Sequence, residues 1–590
     1  MKGTLKNNFL TLDCNLDNYF IIPDGAEGNA ENYYTDVCGL AQIGETTYCA
    51  KTNTAGETAV YAYDPSGSGV SRITDTALDY FGVDLAAYVQ RSENGAALSE
   101  DLLLLGKTSA GGNGQSMIIR MSKDGMVQEI YTVDFDAAGI SFYKTENGQD
   151  LFLVMHAADD PVNLTVEVGT LDETAGSFVY SAADRLNLKN TGYTNDVRGI
   201  YYADGPLLVI TNNGGNSCEN AIMVYTNLYC PKDVYDPTAK FYIKPASTAY
   251  TQFDVKGACA DQDGILTVAM DCSDAQERPA YRDAVKKIPI TFVDNRFEVE
   301  LGLKRGSLVP NQNQCHNFGT MALDGTTLYG FKTATGDTHQ LLFKAEDYTD
   351  YTSDASSARN KLTKVKEYFN ESDESDALLG HANGMELCNG YMFVCGAKGI
   401  DRLAMDGEFT KRYAAPGLVP KGIAWNDSNS LGQFYVLESK RNNYGEYKYY
   451  PLHMGRLTGT QYTNAELLGY VRIGKLDVEG GPIREGTQDI LHRAGLGLFI
   501  VYNMGERNEA GTYTVKKSAL LHVDPDTITE WGGQPRVIPD YALTVTSEEM
   551  TIEVESGAFD QTAHRLVMCS NCSGGDSVWY TDQDWTFQKE

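Results

Sequence analysis

A short phrase recurs along this 590-residue chain, and it constrains the fold more than any other feature. In its fullest form it runs from Cys315 and His316 through Gly319 and Met321 to a turn at Asp324-Gly325, then into Leu328, Tyr329 and Gly330. His381, Gly384 and Asn389-Gly390, followed by Tyr391 to Val394, repeat it almost position for position. So do Asp196, Gly199 and Asp204-Gly205, and Asp254, Gly257 and Asp263-Gly264. Looser copies start at Asp36, near Glu93, at Asp136, at Val419, near Glu485 and near Glu553. Gly, Asp and Asn tolerate the backbone angles of a tight reversal, so each phrase predicts an antiparallel hairpin. About ten copies, roughly 40 to 70 residues apart, mark stacked or radial repeats.

Most full copies add a third and often a fourth strand before the next glycine, as in Leu207 to Ile210 followed by Ile222 to Tyr225. One four-stranded sheet cannot cover both of its faces; packing such sheets around an axis buries them against each other and leaves short edges. The pattern resembles the β-propeller superfamily over nearly the whole chain. The resemblance rests on the repeat and not on a dipeptide signature such as Trp-Asp. It implies an all-β chain of tandem β-propellers, about five four-stranded blades each, since rings usually hold about four to eight. One large or unevenly divided propeller is the alternative. The expected division is 1–310 and 311–590, with Leu303 to Gln314 as the connection. The early strand-like pieces at Phe9 to Leu12 and Tyr19 to Ile22 either close a ring by pairing with its last unit or simply cap it. Two stretches read as helices. Leu78, Phe81, Leu85 and Val89 recur at helical spacing within Asp75 to Gln90, as do Leu362, Val365 and Phe369 within Asp354 to Asn370. The second, with the acidic run Asn370 to Asp376, predicts a helical and acidic insertion near 350–378. That run lacks the glycine turn and terminal glutamate of a calcium loop.

The formal charge of −32 repels phosphates and excludes a nucleic-acid partner. No apolar run reaches the length of a membrane span, so no membrane insertion is expected. The first residues carry no apolar signal core. That leaves a cytoplasmic protein, a piece of a secreted parent, or a component of an extracellular or virion-type particle. Most of the twelve cysteines fall inside strand-like runs, where a thiol packs as a small apolar residue. Turn arithmetic places Cys388 opposite Tyr391 and Cys395 opposite Gly384, so these two are not cross-strand partners. It separates Cys259 from Cys272 likewise. Cys569 and Cys572 stand at zinc spacing with no second pair nearby.

Three residues before the aligned glycines the copies show Asp36, Ser92, Asp136, Asp196 and Asp254, then His316, His381 and Val419, with Glu485 and Glu553 one residue off register. In propellers the first strand of each blade lies nearest the axis. The resemblance therefore implies a first mouth lined by carboxylates and a second lined by imidazoles and carboxylates. Converging carboxylates need a cation, a cationic ligand or shifted pKa values to coexist. Asp36, Asp136, Asp196, Asp254, His316 and His381 are thus candidate ligands for calcium or another divalent cation. His316, His381, Glu485 and Glu553 are candidate acids and bases. The competing reading is structural, because an Asp ahead of a strand caps the turn through backbone N–H groups.

Tyrosines beside Asn, Asp or Gly, such as Tyr34, Tyr193, Tyr348, Tyr444 and Tyr447, offer a flat face and a polar tip suited to sugar or peptide surfaces. No phosphate-binding loop, dinucleotide fingerprint, His-Glu-x-x-His helix or nucleophile elbow is present. Two functions follow. One is a non-enzymatic recognition protein engaging a glycan or protein surface through loops and channel mouths. The other is a carbohydrate-active hydrolase or lyase using the C-terminal propeller. Fold alone does not choose between them.

Overall fold

The computed structural model describes the chain except at 23–33, 68, 92–96, 110–113, 158–161, 194–195, 214–217, 275, 277–281, 310, 312–313, 350–361, 370–378, 397, 477–482, 508–509, 511–512, 547–550, 574 and 589–590. It divides into two compact units, Leu10–Phe297 with Met1, and Glu298–Glu590 with Lys2–Phe9. Among the described residues the elements are strands apart from two 3-10 turns.

In the N-terminal unit the described strands form five antiparallel meanders. Their first strands are Tyr34–Ile43, Phe81–Arg91, Ala137–Glu146, Asp196–Tyr202 and Tyr250–Ala260. Each first strand lies against that of the next sheet, and the fifth lies against the first, so the ring closes. The C-terminal unit repeats this with Cys315–Asp324, Met385–Cys388, Pro420–Trp425, Ile483–Arg493 and Ile552–Asp560. Each unit is a five-bladed β-propeller, and the chain is a tandem pair of them, as the repeat implied.

The core sits between blades. One cluster joins Leu153 and Val166 of the third N-terminal blade to Val209 and Met223 of the fourth. Another joins Phe331 and Leu342 of the first C-terminal blade to Met392 and Leu403 of the second. Burying each such side chain contributes about 1.5–3 kcal/mol, and no blade could gain this alone.

Ring closure uses two devices. In the C-terminal unit Leu303–Leu308 pairs antiparallel with Ser577–Thr581 and completes the last blade. The stretch expected to be a connection is therefore a strand, and the units divide ahead of it. In the N-terminal unit Asp17–Ile21 pairs with the third strand of the fifth blade, while Phe9–Cys14 pairs in parallel with the edge of the fourth. Each seam also carries a buried ion pair. Lys51 on the second strand of the first blade meets Asp283 of the fifth at 2.7 Å. Lys332, in the same place in the C-terminal ring, meets Asp576 of its fifth blade at 2.6 Å.

Neither expected helix forms among the described residues, and most of each is strand. Phe81–Arg91 is the axial strand of the second blade. Leu85, Ala87 and Val89 pack toward the first blade, and Ala86 and Tyr88 toward the third. A strand buried on both faces is apolar almost throughout, and its residues can then fall at helical spacing by coincidence. Leu362–Phe369 is the outer strand of the first C-terminal blade, antiparallel to His339–Ala345. The rest of the expected insertion, including the acidic run, lies outside the described residues.

The hairpin arithmetic holds. Cys388 faces Tyr391 across the Asn389-Gly390 turn, both of whose residues have positive φ (51° and 75°). The Cys395 N–H donates to the Gly384 carbonyl at 2.8 Å, and Cys259 and Cys272 have different cross-strand partners. All twelve cysteines are free thiols.

Candidate functional site

The axis of each ring is organised by one position. In all five N-terminal axial strands the register slips at the same point: between Val37 and Gly39, Gly82 and Asp84, Ala137 and Gly139, Val197 and Gly199, and Val255 and Gly257. These β-bulges aim one residue of each strand at the axis. Four of the five are glycine because the strands nearly touch; a Cβ on Gly39 would stand 2.2 Å from the Leu85 nitrogen. The fifth is Asp84. Its carboxylate accepts the N–H groups of Leu85, Ile140 and Ile200 at 2.9, 3.0 and 3.3 Å. One side chain thereby ties three blades together, and burial holds its pKa well above the usual carboxylate range.

The C-terminal ring has the same device. Asp489 accepts from the N–H groups of Ile490 and Ile423 at 2.8 and 3.3 Å and from the Ser556 hydroxyl at 2.6 Å. Its pKa is also pushed well up by burial. Sequence alignment on glycines missed both residues: Asp84 occupies a slot that is glycine in the other four blades of its ring, and Asp489 one that is Gly422 and Ser556 in the blades beside it. An acidic residue inside a buried apolar run, where a phase-matched glycine belongs, was the available signal.

The predicted polar residues sit at the end where the axial strands begin. In the N-terminal ring Asp36 and Asp196 line a cavity of about 310 Å³ together with Lys107, Arg198 and Lys256. Asp136 is paired with Lys107, and Asp196 with Arg198. Lys256 lies 3.8 Å from Asp271, the cross-strand neighbour of Asp254. Burial raises the pKa of Asp196 against the pull of Arg198 and Lys256. It raises that of Asp271 well above normal, with Asp283 adding to the effect. The structure thus brings the four predicted carboxylates to one region, adds Asp271, and interleaves three cations that the sequence reading did not place there. Those three cations offset part of the charge of the five carboxylates. Among the described residues no group of three His, Cys, Asp or Glu side chains is arranged to hold a metal ion. Ser92 lies outside the described residues.

In the C-terminal ring the four candidates have different surroundings. His316 is exposed and acts electrostatically on Asp576, whose pKa burial raises and the Lys332 ammonium counters. The His381 Nδ1 is 2.7 Å from Asp337 Oδ1, with both side chains nearly half exposed. Glu485 accepts a hydrogen bond from the Tyr502 hydroxyl at 2.5 Å. Glu553 adds to the raised pKa of buried Glu555, which arises chiefly from burial. Glu555, held by the Asn571 amide at 2.7 Å, was not foreseen.

The other end of the N-terminal ring is different. Where the axial strands of the third, fourth and fifth blades finish, a cavity of about 520 Å³ is lined by Phe142, Tyr143, Tyr201, Tyr202 and Phe292, with Asp204, Asp294 and Asn295 at turns. Tyr143 and Tyr202 meet edge to face, with ring centroids 4.8 Å apart. Burial is the main cause that raises the pKa of Tyr201 and Tyr202, and the Asp204 carboxylate adds a smaller push to each. Asn295 donates to the Asp204 carbonyl at 2.7 Å and ties two of the turns. Sequence reading looked for binding tyrosines in loops, but Tyr34 and Tyr348 there are buried. The tyrosines that line a cavity end an axial strand.

No protein family and no curated protein matches this chain. Solved structures with some likeness include an exo-beta-1,3-galactanase from Phanerochaete chrysosporium, at 9% identity over 56% of this chain and 80% of that one, TM-score 0.30. The Pan2 WD40 domain of Neurospora crassa is 11% identical over 67% and 91%, TM-score 0.20. PorZ, a surface component of the type-IX secretion system of Porphyromonas gingivalis, is 9% identical over 91% and 78%, TM-score 0.21. Likeness at this level carries no functional argument, and the architecture rests on the strand pairing itself: this chain is two consecutive five-bladed β-propellers.

Proposed function

We propose that this protein is a non-enzymatic recognition protein that engages a glycan or protein surface through a propeller mouth. The observation that supports this reading is the aromatic cavity of about 520 Å³ in the N-terminal ring. Its size suits a small ligand or a protruding side chain, and its walls combine apolar faces with a few polar groups, as binding pockets do. Tyr202→Ala and Phe292→Ala are expected to abolish binding to whatever ligand a glycan and peptide array identifies, with folding unchanged by circular dichroism. Polysaccharide turnover by the purified protein, or array binding indifferent to both substitutions, would count against it.

One observation favours the alternative, a carbohydrate-active hydrolase or lyase of the C-terminal ring. His381 is oriented by Asp337 at 2.7 Å on an accessible surface, an arrangement suited to proton transfer. Turnover that survives His381→Ala removes this reading.

A further inference from the structure

We infer that the aromatic mouth of the N-terminal ring takes an organic cation, an alkylammonium or guanidinium group, rather than a neutral sugar or an anion. The inference rests on the recognition reading above and names its ligand class.

Three features of the cavity carry it. Five aromatic rings line it, and their electron-rich faces attract cations. The ionisable groups among the lining residues other than the tyrosines are Asp204 and Asp294, both acceptors when ionised. Asp204 is exposed and lines the same cavity as Tyr201 and Tyr202, so charge and rings act on the same space. The side-chain amide of Asn295 spends one of its two N–H groups on the Asp204 backbone.

The surroundings agree. The Lys144 ammonium lies 5.1 Å from the Tyr143 centroid, so one ring of the set already stacks with a cation of the protein itself. Lys144 also pairs with Glu146 at 3.2 Å and is not among the lining residues. The formal charge of −32 draws cations toward the surface and repels anions. The contrast with the opposite end of the same ring, where Lys107, Arg198 and Lys256 line the cavity, makes the two mouths chemically distinct.

The test is calorimetric titration of the full chain with choline, with its neutral isostere 3,3-dimethylbutan-1-ol, and with a lysine-containing peptide beside its Nε-acetylated form. The cation is expected to bind about tenfold tighter than its uncharged counterpart, with affinity falling as salt rises. Asp204→Asn is expected to weaken the cation roughly fivefold and leave the neutral ligand unchanged. Asp204 has φ +46°, a conformation Asn adopts readily, so this variant keeps its turn. Choline binding without the peptide assigns a free small cation; the reverse assigns a polypeptide side chain; either supports the inference. Equal binding of charged and neutral partners overturns it. So does silence toward all four ligands: if an array ligand still binds in a Tyr202-dependent way, the recognition reading stands alone, and if none does, both fall.

Discussion

Lys332→Met tests how the C-terminal ring is closed. The Lys332 ammonium is fully buried, 2.6 Å from Asp576, 2.6 Å from the Asn311 side-chain oxygen and 3.2 Å from the Val309 carbonyl. Burial lowers the lysine pKa and raises that of Asp576, so each ion resists desolvation and their mutual attraction is the main interaction opposing that. Methionine preserves length and bulk but leaves Asp576 buried without its cation, and two oxygens lose a donor. Breaking one side of a buried ion pair costs about 3–5 kcal/mol. At roughly 2–4 °C per kcal/mol for a domain of this size, the transition of the C-terminal ring should fall by about 6–20 °C. Replacing both charges should recover most of the loss, because neutralised buried pairs are often no less stable than the ions. Lys332→Met/Asp576→Asn is the appropriate double variant, since Asn keeps an acceptor for the Cys572 backbone that bonds Asp576. Differential scanning calorimetry of the parent, the two single variants and the double variant gives the coupling energy directly. A single variant within about 2 °C of the parent, or a double variant less stable than Lys332→Met, refutes the latch.

The axis makes two further predictions. Burial raises the pKa of Asp84 in the folded state above its unfolded value near 4, so its stability contribution is complete below that pH and lost as pH rises through the folded value. Asp84→Asn should therefore gain on the parent in urea unfolding as pH is raised from about 4 to 8; a parent that gains on the variant over this window shows the three N–H bonds outweigh burial. Gly39→Ala would set a Cβ 2.2 Å from the Leu85 nitrogen and 2.6 Å from its Cβ, and should cost at least the roughly 1–3 kcal/mol of an overpacked core. Gly486→Ala, with no atom of the described residues within 4 Å, is the control, and equal melting temperatures for the two variants would show the axial strands can part.

The geometry of a five-bladed ring also explains why function is sought at mouths and not along a channel. In the N-terminal ring Gly39, Asp84, Gly139, Gly199 and Gly257 converge so closely that added Cβ atoms would meet the backbone or carboxylate of a neighbouring strand. The waist admits one side chain and spends it on backbone N–H groups. Space opens again only at the two ends, one charged in both signs and the other aromatic and acidic.

The amino-acid sequence by itself determined the all-β class, the repeat and the tandem rings. It did so because turn glycines and short apolar strands are local features, readable without knowing what they touch. It also placed Asp36, Asp136, Asp196 and Asp254 at one phase, and the structure brings them to one region. Arg198 and Lys256 stand two residues after Asp196 and Asp254 in the same strands; only the tertiary structure brought Lys107 from another blade to Asp136. The same holds for Phe81–Arg91: burial on two faces erased the alternation that marks a strand, so it read as a helix and hid Asp84. Leu303–Leu308 read as a connection because its partner strand, Ser577–Thr581, lies at the far end of the unit in sequence. The aromatic cavity follows the same rule, since it is assembled from the ends of strands in three blades. Whatever depends on a neighbouring side chain supplied by a distant stretch of chain is set by packing, and packing is where this protein keeps its sites.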